Sequence, residues 1–290
     1  MIVQRQVKHM LKFTKMEGIG NDYIYFDGIK DKVPRDPAFI QKIADRNFGI
    51  GSDGMIVLEE SDSADFKMAM YNKDGSRGKM CGNGIRCLAK FAYDLGYVNK
   101  ETLLMETDAG YKRVRLIKAD DGTITGAMVD MGVPETQCDL VPVVYDAETM
   151  VDAPFMVAGK EYRGTAVSMG NPHVVLYVND LDFDISDSGY MIEHAPMFPE
   201  SVNVEFVRVI DNEHIEMRVW ERGTGETLAC GTGACAAMYA SYLNHHVGTT
   251  ADVKLPGGHL TVTLADNGHI LMTGNATTVY TGMLEEHTYD

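Results

Sequence analysis

The stretch "GKMCGNGIRCLAKF", residues 78–91, sets Cys81 directly before a glycine-rich turn that opens onto an amphipathic run. Ile85, Leu88, Ala89, Ala92 and Leu95 fall at i, i+3, i+4, i+7 and i+10 on one helical face. Gly96 supplies a stop. A second copy stands in "LACGTGACAAMYA", residues 228–240, where Cys235, Met238, Tyr239 and Tyr242 repeat the first four steps and Gly248 is the expected stop. Cys81-Gly82-x-Gly84 matches Cys230-Gly231-x-Gly233 at an offset of 149, and "GIGND" around Asn21 matches "SMGNP" around Asn171 at an offset of 150. Two motifs sharing nearly one offset predict two homologous halves. Each half delivers an Asn-bearing loop and a Cys-Gly helix start, and the junction falls near "MGVPETQCDLVP", residues 131–142, where Pro and Gly interrupt the strands.

Outward from these motifs the chain reads as strand-rich. "DYIYFDG", "MIVLEE", "DFKMAMYN", "TLLMETDAG", "YKRVRLI", "HVVLYVND", "NVEFVRVI", "IEMRVWE" and "LTVTLADNG" are alternating or β-branched segments between turn signals. A third helix is expected in "DPAFIQKIADRNF", where Pro37 suits a first turn. "GIGSDG", Gly49 to Gly54, matches G-x-G-x-x-G in the wrong context, because a helical pattern precedes it and a strand follows. "GTGACA", Gly231 to Ala236, opens a helix and suits an anion without requiring a dinucleotide.

Composition excludes several classes. A formal net charge of −16 without a Lys/Arg stripe argues against nucleic acid or an anionic membrane as partner. The first residues, "MIVQRQVKHMLKF", lack the apolar run of a signal peptide, and no run of ~18 apolar residues occurs, so a cytoplasmic protein is expected. Five cysteines is an odd number, which favours free thiols over a disulfide framework. Zinc is disfavoured too: Cys81/Cys87 and Cys230/Cys235 give C-x5-C and C-x4-C, with the second cysteine of each pair on or beside an apolar helix face. Cys87 is assigned to packing, and Cys138 stands alone as a structural residue.

At a helix N-terminus the first backbone amides lack partners and the macrodipole is positive, so a thiol there is expected to shift toward thiolate. Glycines let an anion approach those amides. Two such helix starts at one cleft would hold a carboxylate with a sulfur on each face of the adjoining carbon. One cysteine then acts as base and the other as acid, which is racemisation or epimerisation without a cofactor.

With these residues in place, "KMEGIGNDYIYFDG", "YNKDGSRGKMCGNGIRCLAKF", "AVSMGNPHVV", "VNVEFV", "WERGTGETLACGTGACAA" and "LPGGHLTV" together resemble the diaminopimelate epimerase family, in the family's order over residues 15–263. The first ten residues lie outside the resemblance and look like an extension, with Met10 as an alternative start. The resemblance implies an α/β (α+β) fold of two pseudo-symmetric domains, each an antiparallel β-barrel around a central helix. The halves would be residues 11–131 and 132–276, with a strand at 277–290 returning to the first. It implies interconversion of LL- and meso-diaminopimelate by a homodimer, with no metal and no pyridoxal phosphate. It further implies Cys81 and Cys230 as the acid/base pair, and Gly82, Asn83, Gly231 and Thr232 as the cradle of the reacting α-carboxylate. Asn21, Asn72, Asn171, Asn203, Glu221 and Arg222 are the other implied substrate contacts. His173 and Glu221 are implied to tune the thiols, and Tyr280 to lie at a dimer contact.

Two positions depart from the pattern. Gly54 replaces a glutamine of some members, and Arg77 replaces a common acidic residue just before Cys81. Two other readings stay open on sequence alone: a related racemase for substrates such as histidine, and a non-catalytic amino-acid-binding module.

Overall fold

The computed structural model describes residues 10–285; residues 1–9 and 286–290, and with them the expected N-terminal extension, lie outside the described residues. The chain forms two compact units, one ending at Ala127 and resuming at Asn275, the other running from Met128 to Gly274.

In the first unit the elements are β1 (Met10–Gly18), β2 (Asn21–Asp27), α1 (Pro37–Ala44), β3 (Gly54–Glu59), β4 (Phe66–Asn72), β5 (Arg77–Gly78), α2 (Gly82–Asp94), β6 (Thr102–Thr107), β7 (Gly110–Lys118) and the start of β8 (Ile124–Gly132). In the second they are β9 (Ala153–Val157), β10 (Lys160–Ser168), β11 (Pro172–Tyr177), α3 (Ser186–Glu193), β12 (Asn203–Val209), β13 (His214–Glu221), β14 (Gly225–Thr227), α4 (Gly231–Leu243), β15 (Thr250–Leu255), β16 (Gly258–Leu264) and β17 (Ile270–Asn275). The last strand, β18 (Thr277–Glu285), pairs antiparallel with β1, so the chain returns to its first unit. The division falls inside β8, while the Pro/Gly stretch at 131–142 lies just within the second unit.

The two units share one strand plan. In the first the order is β18-β1-β2-β3-β4-β6-β7, with β5 on β4. In the second it is β9-β10-β11-β12-β13-β15-β16-β17, with β14 on β13. Pairing is antiparallel except at β2–β3 and β4–β6 and their counterparts β11–β12 and β13–β15, which are parallel. The sheets are therefore mainly antiparallel with four parallel pairs, within the two-unit α/β fold that the resemblance implied. The reason is topological: α1 to α4 each cross between strands of the same direction, which a tight hairpin cannot connect.

The central strands of each sheet are buried on both faces, so β2 and β3 read as nearly continuous apolar runs. Ile24, Phe26, Met55, Val57 and Ala69 pack with Phe39, Ile40 and Ile43 of α1 on one face. The alternating residues Tyr25, Ile56 and Met68 meet α2 at Gly84 on the other, where a Cβ would lie 2.6 Å from Ile56 Cδ1. In the second unit Val204, Phe206, Ile185 and Ile192 belong to one such core beside α3, and α4 covers the opposite face.

The helix starts follow their sequences. Asp36 caps α1 by accepting from Phe39 N at 2.9 Å, with Pro37 in the first turn. That helix ends at Ala44, short of the expected "DRNF", because Asp45 Oδ1 accepts from Asn47 N and Phe48 N at 2.7 Å and closes a turn instead. Gly96 follows α2 with φ +78° as expected, whereas α4 ends on Asn244 with His245, not Gly248, in the left-handed region. Helix α3 escapes the sequence reading. It has no side-chain cap, and Gly189 in its middle serves a close approach to Trp220, whose Cγ would lie 2.5 Å from an added Cβ.

Candidate active site

In the first unit Cys81 is the N-cap of α2, with extended backbone and its sulfur accepting from Gly84 N at 3.3 Å. The sulfur also donates to Asn21 Oδ1 at 3.1 Å. That amide is oriented from its other end, since Asn21 Nδ2 donates to Asp53 Oδ2 at 2.8 Å. Asp53 in turn accepts from Asp22 N at 3.2 Å and pairs with Arg46 at 2.9 Å. Tyr23 completes the surroundings: burial pushes its phenol well above the usual range, the Cys81 sulfur and Asp53 push the same way, and it stays a hydroxyl beside the thiol. Asn83, in the first turn, is buried with its Oδ1 lacking a hydrogen-bond partner among the described residues. An unsatisfied polar atom beside two amides without intrahelical acceptors suits a bound polar group.

The second unit repeats the plan with different side chains. Cys230 is the N-cap of α4, its sulfur accepting from Gly233 N at 3.4 Å and lying 3.5 Å from Thr232 Oγ1. Asn171 Nδ2 donates to that hydroxyl at 3.4 Å, while Asn171 Oδ1 is 3.1 Å from His173 Nε2. His173 Nδ1 meets Glu205 Oε1 at 2.7 Å, with both side chains fully buried. Burial pushes the Cys230 thiol well above its usual range, and the Glu221 and Glu205 carboxyls push it further. The Gly233 amide and Thr232 hydroxyl pull down but do not win. The expectation that a helix start shifts this thiol toward thiolate is not met at Cys230: desolvation and two carboxyls outweigh the Gly233 amide and the Thr232 hydroxyl. Burial likewise raises Glu221, against the Thr227 hydroxyl it binds.

Other expected contacts have definite surroundings. Asn203 Nδ2 donates to Pro172 O at 2.8 Å and its Oδ1 accepts from Arg222 N at 3.0 Å, so it ties the Asn171 loop to the turn after β13. The exposed Arg222 side chain donates to Glu200 O at 2.8 Å. Asn72 donates to Ser76 Oγ at 3.0 Å. Tyr280 is 43% exposed on β18, edge-on to Phe13 at 6.0 Å. Arg77 binds Asp108 at 2.6 Å and lies over Tyr71, so its charge is neutralised within the loop layer. Gly54 has no room for any side chain, a Cβ falling 2.1 Å from Tyr71 O. Cys87, Cys138 and Cys235 are buried, and burial raises the Cys87 thiol to about 12, consistent with packing roles.

Sequence reasoning missed Tyr23, Asp53, Glu193 and Glu205. Glu193 is buried and accepts from Trp220 Nε1 and Gly223 N, both at 2.7 Å, which braces the turn carrying Glu221 and Arg222. The offset held the signal for two of the others: Tyr23 matches His173 at 150, and Ile56 matches Glu205 at 149, so polar chemistry is present in one repeat and altered in the other.

The family model described as diaminopimelate epimerase matches residues 13–137 and 165–279. A diaminopimelate epimerase of Leptospira biflexa is 48% identical over 277 residues, covering 95% of this chain and 99% of the relative. Those of Acetivibrio thermocellus and Methanococcus maripaludis are 47% and 46% identical over the same share of this chain. Among solved structures, a hydroxyproline epimerase from Agrobacterium vitis superposes with TM-score 0.68 at 15% identity, covering 98% of this chain and 93% of that one. A PhzF-family phenazine biosynthesis protein of Bacillus anthracis gives 0.66 at 16%, covering 95% and 99%. At such identities these two share the fold alone. Carried by the family match and the three close relatives, the conclusion is that the chain belongs to the diaminopimelate epimerase family.

Proposed function

We propose that the protein interconverts LL- and meso-diaminopimelate with Cys81 and Cys230 as an acid/base pair acting on one α-carbon. The observation that carries this is the pair of cysteine N-caps. In a chain of this family, each repeat ends a loop on a sulfur that accepts the third amide of a 13-residue helix. The free first amides of such helices suit the α-carboxylate and the negative charge that gathers on it as the proton leaves. The two helix starts hold the substrate through Gly82, Asn83, Gly231 and Thr232.

One sulfur, as thiolate, takes the α-proton and becomes a thiol. The other, as thiol, delivers its proton to the opposite face and becomes a thiolate, so protons and charge balance within the pair. The raised Cys230 thiol fits the donor at rest, and substrate must lower its cost of ionisation for the reverse direction. Asn21, Asn72, Asn171, Asn203, Glu221 and Arg222 serve the rest of the substrate, Arg222 as the planar partner of the distal carboxylate. His173 and Glu221 set the surroundings of the thiols. The reaction needs neither metal nor pyridoxal phosphate on this reading. It belongs to lysine and peptidoglycan precursor synthesis in the cytoplasm, carried out by a homodimer with Tyr280 at the contact. Exposure of Val279, Tyr280 and Met283 along β18 supports that surface.

The test is incubation of LL-diaminopimelate with the protein in D₂O, following α-deuteration and the meso isomer. Exchange is expected in the wild type, with a loss of roughly 10³-fold or more in Cys81→Ala and in Cys230→Ala. Exchange of histidine in place of diaminopimelate would assign a related racemase, and exchange of no amino acid would leave a binding module.

A further inference from the structure

Parallel pairing of β11 with β12 brings Glu205 under His173, their Oε1 and Nδ1 2.7 Å apart and both residues without exposed surface. Among the described residues, Glu205 Oε2 has no hydrogen-bond partner. A Cβ built on Gly233 would sit 2.8 Å from Glu205 Oε1 and 3.2 Å from Cys230 Sγ, so the carboxyl lies directly beneath the first turn of α4. In the first unit the matched residues are Tyr23 and Ile56, and Ile56 packs under α2 with no polar atom at all. The fold is thus satisfied by an apolar side chain at this place. A buried carboxyl with one oxygen unpartnered is costly to keep there, which asks for a chemical reason.

We propose that Glu205 is a positioning residue that fixes, through His173, which end of the Asn171 side-chain amide faces the Cys230 helix start. This rests on the reading that Asn171 and Cys230 act on substrate. Two contacts of the His173 ring set an inventory of its protons. The 2.7 Å contact between a carboxyl oxygen and a ring nitrogen contains one proton, and the 3.1 Å contact from Nε2 to a carbonyl oxygen requires a proton on Nε2. The Glu205–His173 pair therefore carries both protons and is neutral overall, whichever atom holds the inner one. With Nε2–H on Asn171 Oδ1, the NH₂ end turns to Thr232 Oγ1 beside the sulfur. Were the second proton lost, the Nε2 lone pair would oppose Oδ1 and the amide would flip, placing its oxygen toward Thr232.

The groups around the pair are accounted for: Asn171 on its own loop, Glu221 on β13, and Cys230, Thr232 and Gly233 at the start of α4. Asn21 is held the opposite way. Asp53 binds its NH₂ end, so its oxygen faces Cys81. The two loop asparagines thus present opposite amide ends to the two cysteine caps, and Glu205 is the residue that makes the second unit differ.

Imidazole ¹⁵N spectra of the labelled, active wild type test this, with a protonated Nε2 on His173 expected. Glu205→Gln can donate an amide N–H to Nδ1 and keep Nε2–H, so it is expected to retain kcat/KM within about threefold and a protonated Nε2 on His173. Glu205→Ile, copying the first unit, is expected to lose about 10- to 100-fold in kcat/KM with mixed His173 tautomers. An unprotonated Nε2 in active wild type would overturn the proposal, as would Glu205→Ile with wild-type kinetics. If Glu205→Ile does not fold, Glu205→Gln decides, a loss as large as 100-fold there refuting the inventory. Absence of deuterium exchange in the wild type would instead remove the proposed function, and the spectrum would still decide the orientation.

Discussion

Cys81 and Asn21 are joined by a hydrogen bond of 3.1 Å from sulfur to amide oxygen, and that orientation exists because Asp53 holds the amide nitrogen. Removing Asp53 frees the amide to turn its NH₂ toward the sulfur. Asp53→Ala is expected to lower kcat/KM by about tenfold, the worth of one misdirected hydrogen bond. Asp53→Asn, which keeps an acceptor oxygen for Asn21, should lie between it and the wild type. Steady-state kinetics on folded variants check this, and equal kinetics in Asp53→Ala would show that Asn21 needs no such support.

The two site thiols should differ toward alkylating reagents. Cys81 is partly exposed, whereas Cys230 is buried, with burial and two carboxyls disfavouring its thiolate. Reactivity follows thiolate content and access. In the substrate-free protein at about pH 8, iodoacetamide is expected to modify Cys81 at least about ten times faster than Cys230. Peptide mass spectrometry over time reads the order, and faster labelling of Cys230 would contradict the burial argument.

Gly84 is a close-approach glycine, and its replacement sets two effects against each other. Alanine gains about 1 kcal/mol of helix propensity. Its Cβ, however, falls 2.6 Å from Ile56 Cδ1 in a filled core, and overpacking typically costs about 1–3 kcal/mol. The clash wins, and Gly84→Ala is expected to be destabilised in urea unfolding. Ile56→Val removes the clashing methyl, so the double variant should recover by at least about 0.5 kcal/mol relative to additivity. Strict additivity would place the strain elsewhere.

Stability should fall on the alkaline side. A thiol raised by burial keeps its proton in the folded state while the unfolded thiol, near pKa ~8.5, loses it. Its contribution is complete below that value and is lost as pH rises through the folded value, about 12 for Cys87. The Cys230 and Cys138 thiols, also raised, act in the same direction. Each contributes a slope of up to about 1.4 kcal/mol per pH unit. Cys87→Ala is expected to be less stable overall yet to show a shallower decline between about pH 9 and pH 11. An unchanged slope would mean that Cys87 ionises as readily folded as unfolded.

Some of this was legible in the chain because it is local. The cysteine N-caps follow from a small-residue turn before an apolar stripe, and the repeat follows from two agreeing offsets. Strands buried on both faces announce themselves as β-branched runs. Helix α3 was not legible, since Gly189 reads as a breaker until Trp220 is seen against it. The parallel pairs were likewise hidden, because strand direction depends on where each helix crosses.

The sequence by itself determined the two halves, the two thiols at helix starts and the family, all properties of residues near one another in the chain. Tertiary structure decided the protonation of Cys230 and the orientation of the side chains at each thiol. Burial raises Cys230 against its capping amide and hydroxyl, Asp53 reaches Asn21 across 32 residues, and Glu205 reaches His173 across the same separation. Desolvation and side-chain hydrogen bonds depend on distances that only the packed sheets define. The same Cys-Gly motif is therefore read twice in the sequence and acquires two different chemical surroundings in the fold.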